Sequence, residues 1–229
     1  MSKVKYKRRE SNHSVIESYR ALCTNLQFCG KDKKVIGITS ATPDEGKSTV
    51  TQNIAITLAS LGHKVILVDA DLRRSVVLGK LVHTEEIKGV SHCLSGQAEL
   101  NEIIYDTNLD NMDLIVAGPV PPNPTELLGG ARFKEMIRRL REEYDYVLVD
   151  TPPIGSVIDG VIISKVCDGM VIVIESGKIS YRFAQDVKRQ LEVSGCPILG
   201  TVLNKVETKG NSYYGKYGKY GKYGVYGDY

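Results

Sequence analysis

Short, nearly continuous apolar runs recur along this chain at residues 35–40, 65–68, 112–116, 146–149, 170–174 and 198–203. Between them the pattern changes to helical spacing. Residues 47–61 carry an apolar stripe at Val50, Ile54, Leu58 and Leu61, and Gly62 follows it as a helix stop. A helix is also expected within 124–142 and others near 157–167 and 181–194, with weaker helical segments near 75–104. Near the start, Ser14 reads as an N-cap with Glu17 completing a capping box, opening a helix over 14–28. Residues 1–12 read as a polar basic arm. Runs without apolar/polar alternation, set between helices, indicate strands buried on both faces. The expected fold class is therefore α/β, with a mostly parallel central sheet and helices on both faces.

Composition narrows the picture. Hydrophobic residues make up 42% and charged residues 25% of the 229 positions, close to a soluble globular average. No run approaches the length of a membrane-spanning helix, and no signal peptide is visible. The net charge of +3 sits in residues 208–229, which hold four Lys and one Asp. The remainder is neutral, which argues against nucleic acid as a partner. Five scattered cysteines without a CxxC pair read as reduced thiols of a cytoplasmic protein. The four histidines show no metal-ligand spacing. Seven of the thirteen tyrosines, Tyr213, Tyr214, Tyr217, Tyr220, Tyr223, Tyr226 and Tyr229, crowd a Gly- and Lys-rich tail. With Val225 its one aliphatic residue and so no aliphatic core, that tail is expected to be disordered.

The chemistry concentrates after the apolar runs. Ala41-Thr-Pro-Asp-Glu-Gly46-Lys47-Ser48 follows a predicted strand and opens a predicted helix, the context of a phosphate loop. Its N–H groups and helix end suit phosphates. Thr42, Asp44, Glu45, Gly46, Lys47, Ser48 and Thr49 are the candidate nucleotide contacts. Lys47 would reach the β and γ oxygens, and Ser48 would bind Mg²⁺. Lys47 is expected to face solvent or ligand, so that replacing it costs little packing. Asp69 and Asp71 end one run at i and i+2, which on an extended chain share a side. Asp150 ends another run. Ser48, Asp71 and Asp150 form a coherent oxygen set for Mg²⁺. Asn204, beside Lys205 after the last run, could touch a purine base.

These residues, with the tyrosine tail, resemble the bacterial tyrosine kinases of capsule and exopolysaccharide operons, most nearly the cytoplasmic Gram-positive CpsD/CapB type. The motifs are Glu45-Gly-Lys-Ser48, Ile66-Leu-Val-Asp69-Ala-Asp71-Leu-Arg73, Val147-Leu-Val-Asp150-Thr-Pro-Pro153 and Gly118-Pro-Val-Pro-Pro-Asn-Pro-Thr-Glu-Leu-Leu128. The resemblance implies a P-loop NTPase fold and an ATP- and Mg²⁺-dependent kinase that phosphorylates its own tail. It also implies a membrane-anchored activator that acts as polysaccharide co-polymerase and recruits the kinase to the inner face of the membrane. A cognate tyrosine phosphatase and a homo-oligomeric ring joined through Glu17 and Arg20 complete the set. Cys23 stands where many members have a further Arg, and Asp44 where Gly is usual. By placement and likeness Asp69 would accept the tyrosine proton, Asp71 and Asp150 would hold Mg²⁺, and Arg73 would steady phosphate or substrate. The organisation implied is an N-terminal arm and oligomerisation helix (1–30), a kinase domain (31–208) and the tail (209–229).

Two rival readings have less support. A partitioning or positioning ATPase would carry a second lysine early in the loop, where this chain has Thr42. A nucleic-acid module could stack bases on the tail tyrosines, but four lysines make a weak electrostatic footprint.

Overall fold

The computed structural model of the protein describes residues 2–6, 13–77, 81–82 and 87–206. The tyrosine tail, and with it the expectation of disorder and every tail tyrosine, lies outside the described residues. In chain order the elements are β1 (Ser2–Tyr6), α1 (His13–Phe28), β2 (Val35–Ser40), α2 (Lys47–Ser60), β3 (Val65–Asp69), β4 (Leu81–Val82), α3 (Val90–Leu94), α4 (Leu100–Ile103), β5 (Tyr105–Thr107), β6 (Met112–Ile115), α5 (Pro124–Gly129), α6 (Ala131–Glu143), β7 (Tyr146–Asp150), α7 (Asp159–Ser164), β8 (Gly169–Glu175), α8 (Tyr181–Glu192) and β9 (Ile198–Asn204).

The strands form one sheet in the order β4-β1-β5-β6-β3-β7-β2-β8-β9. From β6 to β9 every neighbouring pair is parallel. The apolar runs are these strands: β2, β3 and β7 are buried along nearly their whole lengths. Alternate residues supply two cores. Ile36, Ile38, Val65, Leu67 and Leu148 face α1 and α2, packing with Cys23, Val50, Ile54 and Leu58. Val35, Ile66, Val68, Val147 and Val149 face the other side, against Phe133, Met136, Ile137 and Leu140 of α6 and the short helices around it. A third group joins Ala41 and Ile154 to Met170, Ile172 and α8.

Several expectations change. Residues 2–6 are a strand, not a free arm: β1 runs parallel to β5 and antiparallel to β4. Val4 is buried and Lys5 exposed, the alternation of a half-buried strand. Ser14 is not an N-cap, because α1 already begins at His13, and Glu17 pairs instead with Arg20 at 2.8 Å. The helix expected within 124–142 is present as two, divided at Gly130, whose backbone is extended (φ −75°, ψ 166°). The weak helical signal over 75–104 resolves into α3 and α4 with β4 before them. Leu61, placed on the apolar stripe of α2, is the C-cap and is exposed. Cys23 is fully buried beside the Ile54 carbonyl, 3.8 Å away, and burial pushes its thiol up to about 12. It therefore does not share the exposed face of Glu17 and Arg20. β1 pairs with the sheet through β5, and α1 packs on its core through Cys23 and Leu26.

One loop ties the phosphate loop to the strand beside it. After β7, Ile154 N donates to Ser40 O at 2.9 Å and Gly155 N to Ala41 O at 3.1 Å. A Cβ on Gly155 would stand 2.3 Å from the Ala41 oxygen and 2.6 Å from Phe183. Backbone cannot yield there as a flexible side chain would. Gly155→Ala should therefore destabilise the protein by about 2 kcal/mol or more, the scale of a core overpacking. Urea unfolding checks this, and an unchanged midpoint would refute the contact.

Candidate nucleotide and phosphoryl-transfer site

The parallel strands β2, β3 and β7 deliver their C-terminal ends to one edge, where ligands of open α/β sheets bind. Register aligns Asp69 of β3 with Asp150 of β7, and Asp150 with Ile38 of β2. The phosphate loop leaves β2 here and turns into α2 through Gly46, whose left-handed backbone (φ 92°) favours glycine. A side chain there would also meet the Asn204 amide at 2.3 Å. Asp44 is left-handed too (φ 65°) and exposed, a conformation Asp tolerates better than most residues.

The loop is braced from within. Glu45 is fully buried, and its carboxylate accepts Thr42 N–H at 2.8 Å and Glu175 N–H at 3.4 Å. Asn204 Nδ2 donates to Glu45 O at 2.9 Å. Lys205 Nζ donates to Asp44 O at 2.7 Å, and Lys178 Nζ to Pro43 O at 2.8 Å. Glu45 and Asn204 thus shape the loop from within. Thr42 likewise gives its N–H to Glu45, and its hydroxyl is buried without a partner.

Lys47 is not in an open loop. It is the first residue of α2, only 8% exposed, and its ammonium lies 3.0 Å from Asp71 and 3.6 Å from Asp150. It also lies 3.2 Å from the Ser48 hydroxyl. Burial pulls the ammonium's pKa down, but Asp150 and Asp71 outweigh it and the net shift is upward. Asp69 is fully buried; burial first, then the Asp150 charge, push its carboxyl up to about 7, against a lowering bond from Ser75 Oγ at 2.5 Å. Burial raises Asp150 as well, opposed by Lys47. The strand ends at Asp69, and its Oδ1 accepts Asp71 N–H at 3.2 Å; Asp71 bonds the Lys47 ammonium, and the same ammonium acts electrostatically on Asp69.

A cleft of about 460 Å³ opens over this edge. Of the candidate residues, Asp44, Gly46, Lys47, Ser48, Thr49, Asp71 and Arg73 line it; Thr42, Glu45, Asp69, Asp150 and Asn204 do not. Arg74, Val76, Pro152, Pro153, Ser156, Val157 and Lys205 line it without having been singled out as site residues. Their positions just past the ends of β3, β7 and β9 were the available signal. Arg74 pairs across the mouth with Asp44 at 3.5 Å, too exposed a pair to add much.

Mg²⁺ fits this donor set. Asp150 Oδ1 is buried without a hydrogen bond, and Ser48 and Asp71 stand beside the same ammonium. Among the described residues no group of three or more His, Cys, Asp or Glu forms a complete metal cage. Mg²⁺ is usually held by one or two carboxylates with water and substrate phosphates. No helix among the described residues is long and apolar enough to cross a membrane. Glu17 and Arg20 lie outside the cleft, on the exposed face of α1. Arg20 borders a hollow of about 250 Å³ between α1 and α2, with Tyr19 and Asn53.

Comparison with known proteins agrees with the geometry. The family described as an AAA domain matches residues 33–192. The tyrosine-protein kinase CpsD of Streptococcus agalactiae is 45% identical over 205 residues, covering 87% of this chain and 90% of that protein. The kinase domain of the Escherichia coli tyrosine kinase ETK superposes with a TM-score of 0.81 at 32% identity, covering 91% of this chain and 86% of that one. The septum site-determining protein MinD of Pyrococcus horikoshii, solved with Mg-ADP, follows at TM-score 0.64 and 27% identity, covering 77% and 72%. A phosphate loop with carboxylates gathered at its sheet edge is common to nucleotide switches and kinases; the extent of the kinase likeness decides between them, and this chain belongs to the tyrosine-protein kinases built on the P-loop fold.

Proposed function

We propose that this tyrosine-protein kinase uses ATP and Mg²⁺ to phosphorylate the tyrosines at 213, 214, 217, 220, 223, 226 and 229 of its own C-terminal tail, and so regulates synthesis and export of a capsular or extracellular polysaccharide. The observation that carries the reading is the ammonium of Lys47 set among Asp71, Asp150 and the Ser48 hydroxyl at the end of a phosphate loop. Phosphoryl transfer needs positioned charge more than covalent chemistry. Lys47 supplies the cation for the moving phosphoryl group. Mg²⁺, held by Ser48, Asp71 and Asp150 directly or through water, would neutralise charge on the phosphate oxygens.

Asp69 is the proposed acceptor of the tyrosine proton. Burial and the neighbouring Asp150 charge bring its carboxyl up to about 7, suited to a base working near neutrality. Since it lies behind the cleft wall, the turn 70–75 must shift before a tyrosine hydroxyl reaches it. The partners in this reading are a membrane-anchored activator, a tyrosine phosphatase and further copies of the chain meeting through the Glu17–Arg20 face. The activator would bring the kinase to the inner membrane face. The ATPase-switch alternative has in its favour the likeness to MinD, but the kinase relatives match more closely over more of the chain.

Lys47→Met should abolish tail phosphorylation, read by mass spectrometry after incubation with ATP and Mg²⁺. It should also destabilise the protein, because two carboxylates lose their buried counter-charge at a cost of about 3–5 kcal/mol, so circular dichroism must accompany the assay. A chain ending at Thr208 should bind ATP and show no phosphotyrosine. Tail phosphorylation that survives in folded Lys47→Met would overturn the site.

Asp69→Asn keeps the side-chain shape and one acceptor for the Asp71 N–H, removes the charge, and puts a donor NH2 against the Ser75 hydroxyl, which can turn to accept. It should slow transfer at least ~100-fold while nucleotide binding persists; an unchanged rate would move the proton-acceptor role to Asp71. Stability adds a second readout. The folded-state pKa is raised, so the native protein holds an extra proton between about pH 4 and 7, and the wild type loses stability as pH rises through that window. Asp69→Asn escapes the loss, so its gain in melting temperature should be larger near pH 8 than near pH 5.

A further inference from the structure

The segment 118–128, singled out in the sequence by resemblance alone, acquires a physical role at the cleft. It delivers Thr125 to the first turn of α5. There the Thr125 hydroxyl accepts Arg73 Nη2–H at 2.9 Å and donates to Asp159 Oδ1 at 2.6 Å. Arg73 grips the same carboxylate side-on, Nε to Oδ2 at 2.6 Å and Nη2 to Oδ1 at 3.3 Å. The Asp159 side chain is only 1% exposed, whereas Arg73 is 41% exposed and lines the cleft beside Lys47 and Asp71.

A guanidinium is a rigid planar fork with five donors. Two bonds to one carboxylate and a third to a hydroxyl fix its plane, and all three use the Nε/Nη2 edge. The Nη1 edge is left to meet an anion. The main chain of Arg73 is fixed separately: Asp71 Oδ1 accepts the N–H groups of Arg73 and Arg74 at 3.3 and 3.0 Å, while Asp71 Oδ2 holds Lys47 at 3.0 Å. One carboxylate therefore sets the spacing of the two cations, and Asp159 with Thr125 sets the direction of the second.

We propose that Asp159 and Thr125 are positioning residues that orient Arg73, so that its Nη1 edge meets a phosphate oxygen in the cleft during phosphoryl transfer. The inference rests on the kinase reading of that cleft. A purely structural tie between α5, α7 and the turn after β3 is the competing account, and it makes different demands. A structural tie would act on stability whatever residue occupies position 73. A positioning role acts only through Arg73, and on the chemical step more than on nucleotide binding.

The experiment is a double-mutant cycle on the full-length chain, read as kcat and as KM for ATP with melting temperature as a control. Asp159→Asn risks unfolding by disturbing a buried charge, so Thr125→Val, which keeps the shape and removes only the hydroxyl, is the main probe. Thr125→Val should lower kcat about tenfold, equivalent to about 1.4 kcal/mol, with KM for ATP changed by less than about twofold. Thr125→Ser should restore most of the loss. Arg73→Ala should cost about 100-fold, and adding Thr125→Val to it should cost nothing more. Equal losses from Thr125→Val with and without Arg73, or a wild-type rate in Thr125→Val while Arg73→Ala is impaired, would overturn the positioning role. Lys47→Met separates this from the reading it rests on. If Lys47→Met is inactive and the cycle is additive, only the inference fails; if Lys47→Met stays active, the site itself is misassigned.

Discussion

Everything at this site depends on placing negative charge at the end of an apolar sheet. Asp69 and Asp150 are register partners on adjacent strands, and Asp71 follows one turn later. Carboxylates this deeply buried cannot all stay ionised without a counter-charge. Lys47 supplies it, and the first turn of α2 holds that lysine over the strand ends. The phosphate loop, the direction of α2 and the turn 70–75 are thus constrained by one electrostatic requirement. The same requirement gives the edge its chemistry, because a cation and a partly unbonded carboxylate oxygen sit where phosphate must arrive.

The bracing of the loop is the second constraint. Glu45 and Asn204 fix its shape from the interior, while Lys178 and Lys205 hold its outer carbonyls. The loop is bound by the ends of β8 and β9. Such preorganisation places donors before charge develops.

The central sheet and the charge cluster were legible in the sequence for a physical reason. Parallel strands buried on both faces read as unbroken apolar runs, and acids ending such runs have few structural uses. What escaped has equally specific causes. β1 is five residues of mixed polarity made a strand by the edges of β5 and β4, far away in sequence. Gly130 separates two helices within what reads as one helical pattern. Spacing could not show that β3 stops at Asp69 or that the Asp69 carboxylate accepts the Asp71 N–H. Glu45 carries the charge of a surface residue, and only the Thr42 and Glu175 amides reveal that it points inward. Arg73 was found, but its partners Thr125 and Asp159 were not, since nothing local in the chain links the three.

The strand order also bears on how the protein is made. β2, which carries the phosphate loop, pairs with β7 and β8 on its two sides, and both are synthesised more than a hundred residues later. β1 must likewise wait for β5. A ribosome therefore releases the loop long before any partner strand exists to hold it, and pairings of such long sequence separation form slowly. The catalytic edge cannot assemble on a partial chain. The apolar run of β2 stays without its native neighbours until β7 and β8 emerge, an exposure that favours wrong pairings and aggregation.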